Sequence, residues 1–236
     1  RDNLKDDMWG YNRYTKQTVN IGSAFLQNEW KNEKWSILLG GRLDKHNLID
    51  HVIFSPRANL RFNPSEDINL RLSYSSGFRA PQAFDEDLHI ENVGGTVSMI
   101  ERAKNLKEEK SQSFSASADM YHRFGAFQVN FLVEGFYTRL SDVFVLENIG
   151  ERDGILIKER RNGSGAKVLG LSMEGKMAYL SLFQLQAGVT LQQSRYDEPE
   201  KGSETAPAEK KIFRTPNTYG YFTATYTPIK PPSLPL

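Results

Sequence analysis

The chain has 236 residues, with 30 Lys and Arg against 29 Asp and Glu, and it contains no cysteine. A formal net charge of +1 lacks the basic excess expected of a general nucleic-acid binder, and the absence of cysteine excludes disulfides and thiolate chemistry. The mean hydropathy is −0.55, and no apolar run reaches the ~18 residues of a membrane-spanning helix. A membrane β-barrel stays compatible with these values, because its alternating strands average to polar.

Alternation of apolar and polar residues is the dominant pattern along the chain. Between residues 67 and 75, Ile68, Leu70 and Leu72 alternate with polar residues, as in a strand with one apolar and one polar face. The same period recurs, less cleanly in the first and last, in 19–30, 35–43, 54–62, 113–120, 127–134, 169–177, 183–192 and 219–226. The sequence therefore predicts an all-β chain with about nine long strands. Apolar positions are too sparse for a stable amphipathic helix, and only residues 100–110 suggest a short one.

Short and long connections take turns along the predicted strands. The short connections are 31–33, 63–66, 122–125 and 180–181, and the longer ones are 45–51, 77–110, 148–154 and 194–215. This alternation predicts an antiparallel up-and-down sheet with tight turns at one rim and loops at the other, as in bacterial outer-membrane barrels. A soluble β-sandwich usually mixes its loop lengths between both ends.

Strand length and aromatic placement also favour a membrane barrel. Residues 126–147 contain no strong strand breaker except Gly135, so we expect a single strand that crosses the membrane and continues above it. The polar faces are rich in Arg, Asn, Gln and Ser, which suits a wet lumen. Aromatic residues near the predicted strand ends, as in an interfacial girdle, are Trp30, Trp35, Tyr74, Tyr121 and Tyr179. Alternation alone does not show which face is buried, so a soluble β-protein is the alternative.

Several short motifs resemble those of the TonB-dependent outer-membrane receptors, in the order and spacing of that family. The central motif is Gly-Phe-Arg-Ala-Pro at residues 77–81. The others are 41–44 with Arg42 and Asp44, the hairpin 54–74, the segment 105–111, the segment 162–166 followed by Gly170 and Glu174, and 214–216. One departure is Glu108, which stands where the family usually has proline. The resemblance covers nearly the whole chain and implies a transmembrane β-barrel.

The family builds barrels of about 22 strands around a plugged lumen. The resemblance therefore implies that residues 1–236 are a partial β-barrel domain from the C-terminal part of the barrel, with the plug and the TonB-contacting segment outside it. It also implies a receptor in the outer membrane of a Gram-negative bacterium. Its partners would be membrane lipid, TonB, and a bulky nutrient such as a ferric siderophore, haem, cobalamin or a glycan. Two open edge strands would drive the isolated fragment to self-associate.

The candidate ligand-binding residues lie in the long connections. Two histidines flank the connection 45–51, and an acidic cluster follows Pro81. The candidates are Arg79, Asp85, Glu86, Asp87, His89, His46 and His51. Metal or chelate contact is one interpretation. The favoured one is a solvated acidic loop, exposed loop histidines and an arginine that pairs with carboxylates or carbonyls of the lumen.

A second group of candidates lies on the polar strand faces, where packing against a plug is favoured over simple hydration of the barrel wall. These candidates are Arg42, Arg57, Arg61, Arg71 and Glu174. No nucleophile elbow or phosphate loop is present, so the sequence predicts no enzyme, no cofactor and no resident metal. Glycines 163 and 165 are expected within a strand. The alternative functions are a passive porin or adhesin barrel and a soluble β-sandwich binding module.

Overall fold

The computed structural model describes residues 1–9, 13–83, 91–93, 96–180, 182–201, 207–212 and 215–228. Sixteen strands make up most of these described residues. They are β1 (Asp2–Met8), β2 (Arg13–Val19), β3 (Ile21–Lys31), β4 (Trp35–His46), β5 (Val52–Ser65), β6 (Ile68–Arg79), β7 (Glu91–Val93), β8 (Thr96–Arg102), β9 (Glu109–Phe124), β10 (Phe127–Ser141), β11 (Phe144–Arg152), β12 (Ile155–Asn162), β13 (Ala166–Tyr179), β14 (Phe183–Lys201), β15 (Ala208–Lys211) and β16 (Thr218–Tyr226). No helix able to span a bilayer occurs in the part of the chain that the structure describes.

Nine long strands form one antiparallel sheet and confirm the predicted number and order. Their spatial order is β3, β4, β5, β6, β9, β10, β13, β14 and β16, and the short β15 lies beside the upper part of β14. Every neighbouring pair in this main sheet is antiparallel. Within the described residues the sheet does not close, so β3 and β16 are its two edges.

Tight turns and long loops lie at opposite rims of the main sheet. The inner rim carries the tight turns, at residues 32–34, 66–67 and 125–126 and after Leu180. Gly125 and Leu180 have φ of 58° and 50°, and the side-chain oxygen of Asn32 accepts the backbone N–H groups of Lys34 and Trp35. The outer rim carries the long loops, whose described residues are 47–51, 80–83, 91–93, 96–108, 142–165, 207–212 and 215–217.

The apolar faces of the long strands are not covered by protein. Leu72 and Phe131, near the middle of their strands, are 54% and 43% exposed. Among the described residues, the buried apolar side chains lie at the outer rim and in its loops: Ile49, Ile53, Ala80, Met99, Ile100, Val143, Val145, Ile157 and Ala166. A soluble sandwich would bury the strand faces first, whereas a membrane barrel presents them to lipid.

Aromatic pairs mark the inner rim. The stacked or tilted pairs are Trp35 with Phe62, Phe127 with Tyr179 and Phe183 with Tyr226, with ring centroids 4.2, 4.7 and 4.8 Å apart. This arrangement fits the interfacial girdle predicted from Trp35 and Tyr179. Tyr121 differs from that expectation, because it lies on the polar face and its hydroxyl donates to Asp119 at 2.8 Å.

The prediction of one strand through residues 126–147 is wrong in its upper part. β10 ends at Ser141, and Asp142 adopts φ 55°, a left-handed conformation that Asp tolerates better than most residues. The chain then turns away, and β11 pairs with β12 instead of continuing the main sheet. The side chain of Asn162 donates to the carbonyl oxygen of Asp142 and holds this turn.

Residues 100–110 form no helix, in keeping with their sparse apolar positions: β8 ends at Arg102 and β9 begins at Glu109. One further local expectation is corrected. Residues 163–165 lie between β12 and β13 instead of within a strand. A Cβ on Gly165 would lie 2.6 to 2.8 Å from Asp197, Arg139 and the carbonyl oxygen of Leu140, so this position requires glycine.

A second sheet joins two outer loops and was not predicted. Its order is β11, β12, β8, β7, with strands from the loop after β6 and from the loop after β10. β8 and β12 are parallel, whereas the pairs at either side are antiparallel. The separate hairpin of β1 and β2 precedes the edge strand β3.

Candidate functional site

The outer rim places the two candidate histidines in different environments. His46 ends β4 and is 1% exposed, and its Nδ1 accepts the backbone N–H of Leu48 at 3.0 Å. Burial lowers the pKa of His46 below its ordinary value, which favours the neutral ring, and its Nε2 has no hydrogen-bond partner among the described residues. His51 is exposed, and its Nε2 lies 3.1 Å from a carboxylate oxygen of Glu108. The structure therefore separates the two histidines.

Glu108 is the centre of a small charged cluster at this rim. It is 5% exposed, and the same carboxylate oxygen also lies 3.0 Å from the ammonium of Lys110. Burial alone would raise the pKa of Glu108, but its backbone N–H, Lys110 and His51 together outweigh burial and lower it. The carboxylate of Glu108 therefore stays ionised at neutral pH, and the cluster links the loop before β5 to the start of β9. Glu108 is the residue at which the sequence departs from the family motif.

A polar cleft opens beside this cluster. β5 and β6 pair only from Arg57 and Ser75 downward. Above that level each strand keeps only its other partner, β4 for β5 and β9 for β6. The cleft between them has a volume of about 280 Å³. Its polar lining comes from His51, Ser55, Ser76, Lys110, Ser111 and Gln112. Hydroxyl, amide, imidazole and ammonium groups of this kind bind oxygen-rich ligands.

Arg79 lies at the end of β6 and faces the loop after β10. Its guanidinium carbon is 5.6 Å from the ring centroid of Phe144, a distance typical of a cation–π contact. The backbone N–H of Phe144 donates to Glu109 at 2.9 Å. Arg79 therefore packs against an outer loop, and its role as a ligand contact stays a prediction.

The acidic part of the predicted site cannot be compared with the structure. Asp85, Glu86, Asp87 and His89 lie outside the described residues, as does Arg214 of the predicted motif 214–216. Within the described residues, no group of three or more His, Cys, Asp or Glu side chains is placed to hold a metal ion.

The four arginines of the polar face follow neighbouring strands β4, β5 and β6. Arg61 lies directly opposite Arg71, an arrangement of like charges that destabilises a sheet unless it is compensated. Arg71 donates to Asn69, and Arg42 donates to Asp44 at 2.7 Å. The Nε of Arg61 is buried and has no hydrogen-bond partner among the described residues. Arg57 is exposed on the same face.

Glu174 belongs to a polar network that crosses three strands. Glu174, Gly188 and Tyr221 are directly opposite one another on β13, β14 and β16. The hydroxyl of Tyr221 donates to Glu174, Gln186 donates to it at 3.1 Å, and the ammonium of Lys176 lies 2.6 Å away. The network borders a hollow of about 280 Å³ in the polar face, lined by Tyr121, Gln128, Asn130, Lys176, Gln186 and Thr223.

A bidentate ion pair clamps the strands above this network. Arg139 donates to both oxygens of Asp197, at 2.8 and 2.5 Å. These hydrogen bonds hold the pKa of Asp197 below its ordinary value. The pattern of period two gave no indication of this pair, because the partners are 58 positions apart and meet only through strand pairing.

We expect Asp197→Asn to destabilise the protein in a pH-dependent way. A lowered carboxyl pKa stabilises the folded state above the unfolded value, about 3.9, and the contribution is lost as the pH falls through the folded value. The difference in unfolding temperature between wild type and variant should thus be constant from pH 8 to pH 5 and shrink below about pH 3.9. Thermal unfolding in detergent across this range measures it. A difference that persists undiminished at pH 2 would contradict the assignment.

Together the uncovered apolar faces, the polar opposite faces and the two unlike rims define a wall segment of a membrane β-barrel. The family model of the TonB-dependent receptor-like β-barrel matches residues 2–233. The chain belongs to this family. The predicted family, the antiparallel barrel architecture and the membrane class are confirmed, and the soluble-sandwich alternative is wrong.

Solved structures with the same fold include a siderophore receptor, an iron transporter and an outer-membrane receptor. The siderophore receptor PirA from Pseudomonas aeruginosa has a TM-score of 0.68 and 16% identity, with 91% of this chain and 44% of that chain covered. The FrpB iron transporter from Neisseria meningitidis has a TM-score of 0.59 and 16% identity, with 87% of this chain and 33% of that chain covered. The alcaligin receptor FauA from Bordetella pertussis has a TM-score of 0.54 and 18% identity, with 88% of this chain and 34% of that chain covered.

These similarities are limited to the fold, because all three identities are below 20%. The chain also spans less than half the length of each of these proteins. No curated protein matches the sequence.

Proposed function

We propose that the chain forms part of the wall of an outer-membrane receptor in a Gram-negative bacterium. The receptor would take up a bulky nutrient with energy delivered through TonB, and a ferric siderophore is the favoured cargo over haem, cobalamin or a glycan. Membership of the family carries the proposal. The similar structures include a siderophore receptor and an iron transporter, which supports the choice of cargo. We do not expect the chain alone to transport.

The test is growth and localisation of the intact receptor. Cells expressing the full-length protein should retain it in the outer membrane after carbonate extraction. Under iron limitation, they should grow on at least one of a panel of ferric siderophores or haem, and growth should require TonB. Growth on the same iron source without TonB would support the passive porin or adhesin alternative, and recovery as a soluble protein would refute a membrane receptor.

The arginines of the polar face support a filled lumen over an open pore. Arg61 and Arg71 are like charges in direct opposition, and the buried Nε of Arg61 lacks a partner among the described residues. Plug carboxylates near Arg42, Arg57, Arg61 and Arg71 would compensate the opposed charges, and a donor group of the plug would bind Glu174. The edges β3 and β16, which are exposed along their length, would pair with further barrel strands in the receptor and drive self-association of the isolated chain.

Arg61→Glu is expected to loosen such a plug, because it would repel carboxylates that now compensate the arginines. Uptake of a bulky antibiotic that the intact receptor excludes should rise. The control is Arg123→Glu, since Arg123 is exposed beside the tight turn at the inner rim. Equal uptake by both variants, with wild-type amounts in the outer membrane, would argue against plug contact at Arg61.

A further inference from the structure

The two longest outer loops are joined through their backbones. The segment 96–108 comes from the loop after β6, and the segment 142–165 is the loop after β10. β8 pairs in parallel with β12 from Val97 to Arg102, and the N–H of Ala103 extends the pairing to the carbonyl oxygen of Arg160 at 2.9 Å. Both loops begin and end at the main sheet, so the pairing of β8 with β12 holds each loop against the other.

Side chains of both segments reinforce the joint. Met99 and Ile100 from the first segment, and Val145 and Ile157 from the second, are all buried. Together with Val143 they make up much of the buried apolar side-chain surface at this rim. Arg152, at the end of β11, donates to Glu101 of β8 at 2.9 Å. A segment that opened alone would therefore expose apolar surface and break strand pairing.

Asn162 connects the bases of the two segments. Its side-chain oxygen accepts the backbone N–H of Lys107 at 2.8 Å. Its side-chain nitrogen donates to the carbonyl oxygen of Lys107 at 3.1 Å and to that of Asp142 at 2.8 Å. One amide thus satisfies backbone groups of both segments. Only an amide has this combination, because the contact needs an acceptor on one atom and two donors on the other.

We propose that Asn162 is a positioning residue that locks the two outer loops into one cooperative unit. The segments 96–108 and 142–165 open and close together, and a molecule that binds either loop meets a surface fixed by both. This explains why two of the motifs found in the sequence, 105–111 and 162–166, lie far apart in the chain but meet at Lys107 and Asn162. The inference concerns the loops themselves and does not depend on the identity of the cargo.

Hydrogen exchange on the full-length receptor in detergent micelles tests the proposal. In the wild-type protein, the slowest amides of the two segments should exchange with equal free energies of opening and equal responses to urea, as one cooperative unit does. Unequal opening of the two segments would overturn the proposal without any variant. This measurement remains decisive if a variant fails to assemble.

The variants give the second arm of the test. Asn162→Ala should speed exchange in both segments together, by about tenfold or more, because the three hydrogen bonds of its side chain are lost. Asn162→Asp should speed it further, since its carboxylate would face two carbonyl oxygens. Asn105→Ala is the matched control, because Asn105 is exposed and has no side-chain partner among the described residues. Faster exchange in only one segment, or in neither, would overturn the proposal.

Discussion

Replacing Phe131 by arginine is expected to prevent stable assembly of the receptor in the membrane, whereas the same change at the neighbouring Leu132 is expected to be tolerated. The two residues are consecutive and lie near the middle of β10, but their side chains point to opposite faces of the sheet. Phe131 is 43% exposed on the apolar face, opposite Met120 and Gly175. An arginine at the bilayer midplane of a barrel costs about 2–4 kcal/mol on the lipid face.

The polar face offers arginine the opposite environment. Leu132 lies directly between Asp119 on β9 and Glu174 on β13. An arginine there would reach two carboxylates, and charge-assisted hydrogen bonds to them would offset the loss of the apolar side chain. The pair of variants therefore differs only in the face that receives the charge.

Folding into lipid vesicles measures the difference. The folded form is detected by gel electrophoresis, because its migration changes after heating. During urea titration, the folded fraction should fall sharply for Phe131→Arg and stay near wild type for Leu132→Arg. If Leu132→Arg were the more damaging of the two, the faces would be assigned the wrong way round. If both variants were equally damaging, the size of the arginine side chain at this depth would matter more than its exposure to lipid.

The long strands could be predicted from the sequence because each carries its own signal. Period two in the segments around Leu72, Phe131 and Leu191 is a local property, and the tight turns near Asn32 and Gly125 depend on residues within the turn. The assignment of the apolar face to lipid needed the family resemblance, since alternation is the same for a wet or a dry interior. The structure adds that this face remains uncovered.

The outer loops could not be predicted, because their order depends on contacts between distant segments. Nothing within residues 142–165 alone indicates that β12 pairs with β8, a parallel contact that joins two separate loops. The turn at Asp142 is fixed by Asn162, and burial of His46 depends on the residues that surround the end of β4. The local sequence pattern therefore predicted a strand β10 that is too long and an exposed His46.

The second large effect is expected at Gly188, on the polar face of β14. Tyr221 of β16 lies across this glycine and donates its hydroxyl to Glu174 on the far side. A Cβ at position 188 would lie 2.5 Å from the ring of Tyr221, which is closer than real side chains approach. Glycine is thus needed for one side chain to span three strands.

Gly188→Val should displace the ring of Tyr221 and break its hydrogen bond to Glu174. Overpacking of this kind costs about 1–3 kcal/mol, so the urea midpoint of the full-length receptor in vesicles should fall. The matched control is Gly175→Val. Gly175 lies on β13 and on the apolar face of the sheet, and a Cβ there would meet no atom within 4 Å. We expect that variant to unfold like the wild type or at slightly higher urea, because valine favours strands and lipid.

A Tyr221→Phe background separates the two causes. If loss of the hydrogen bond to Glu174 carries much of the effect, Gly188→Val should cost less when Tyr221 has already lost its hydroxyl, since neighbouring groups in one network are not additive. An equal cost in both backgrounds would assign the whole effect to the clash between the valine and the aromatic ring. A wild-type midpoint for Gly188→Val would show that Tyr221 does not need the space above Gly188, and that Glu174 is held by Lys176 and Gln186 alone.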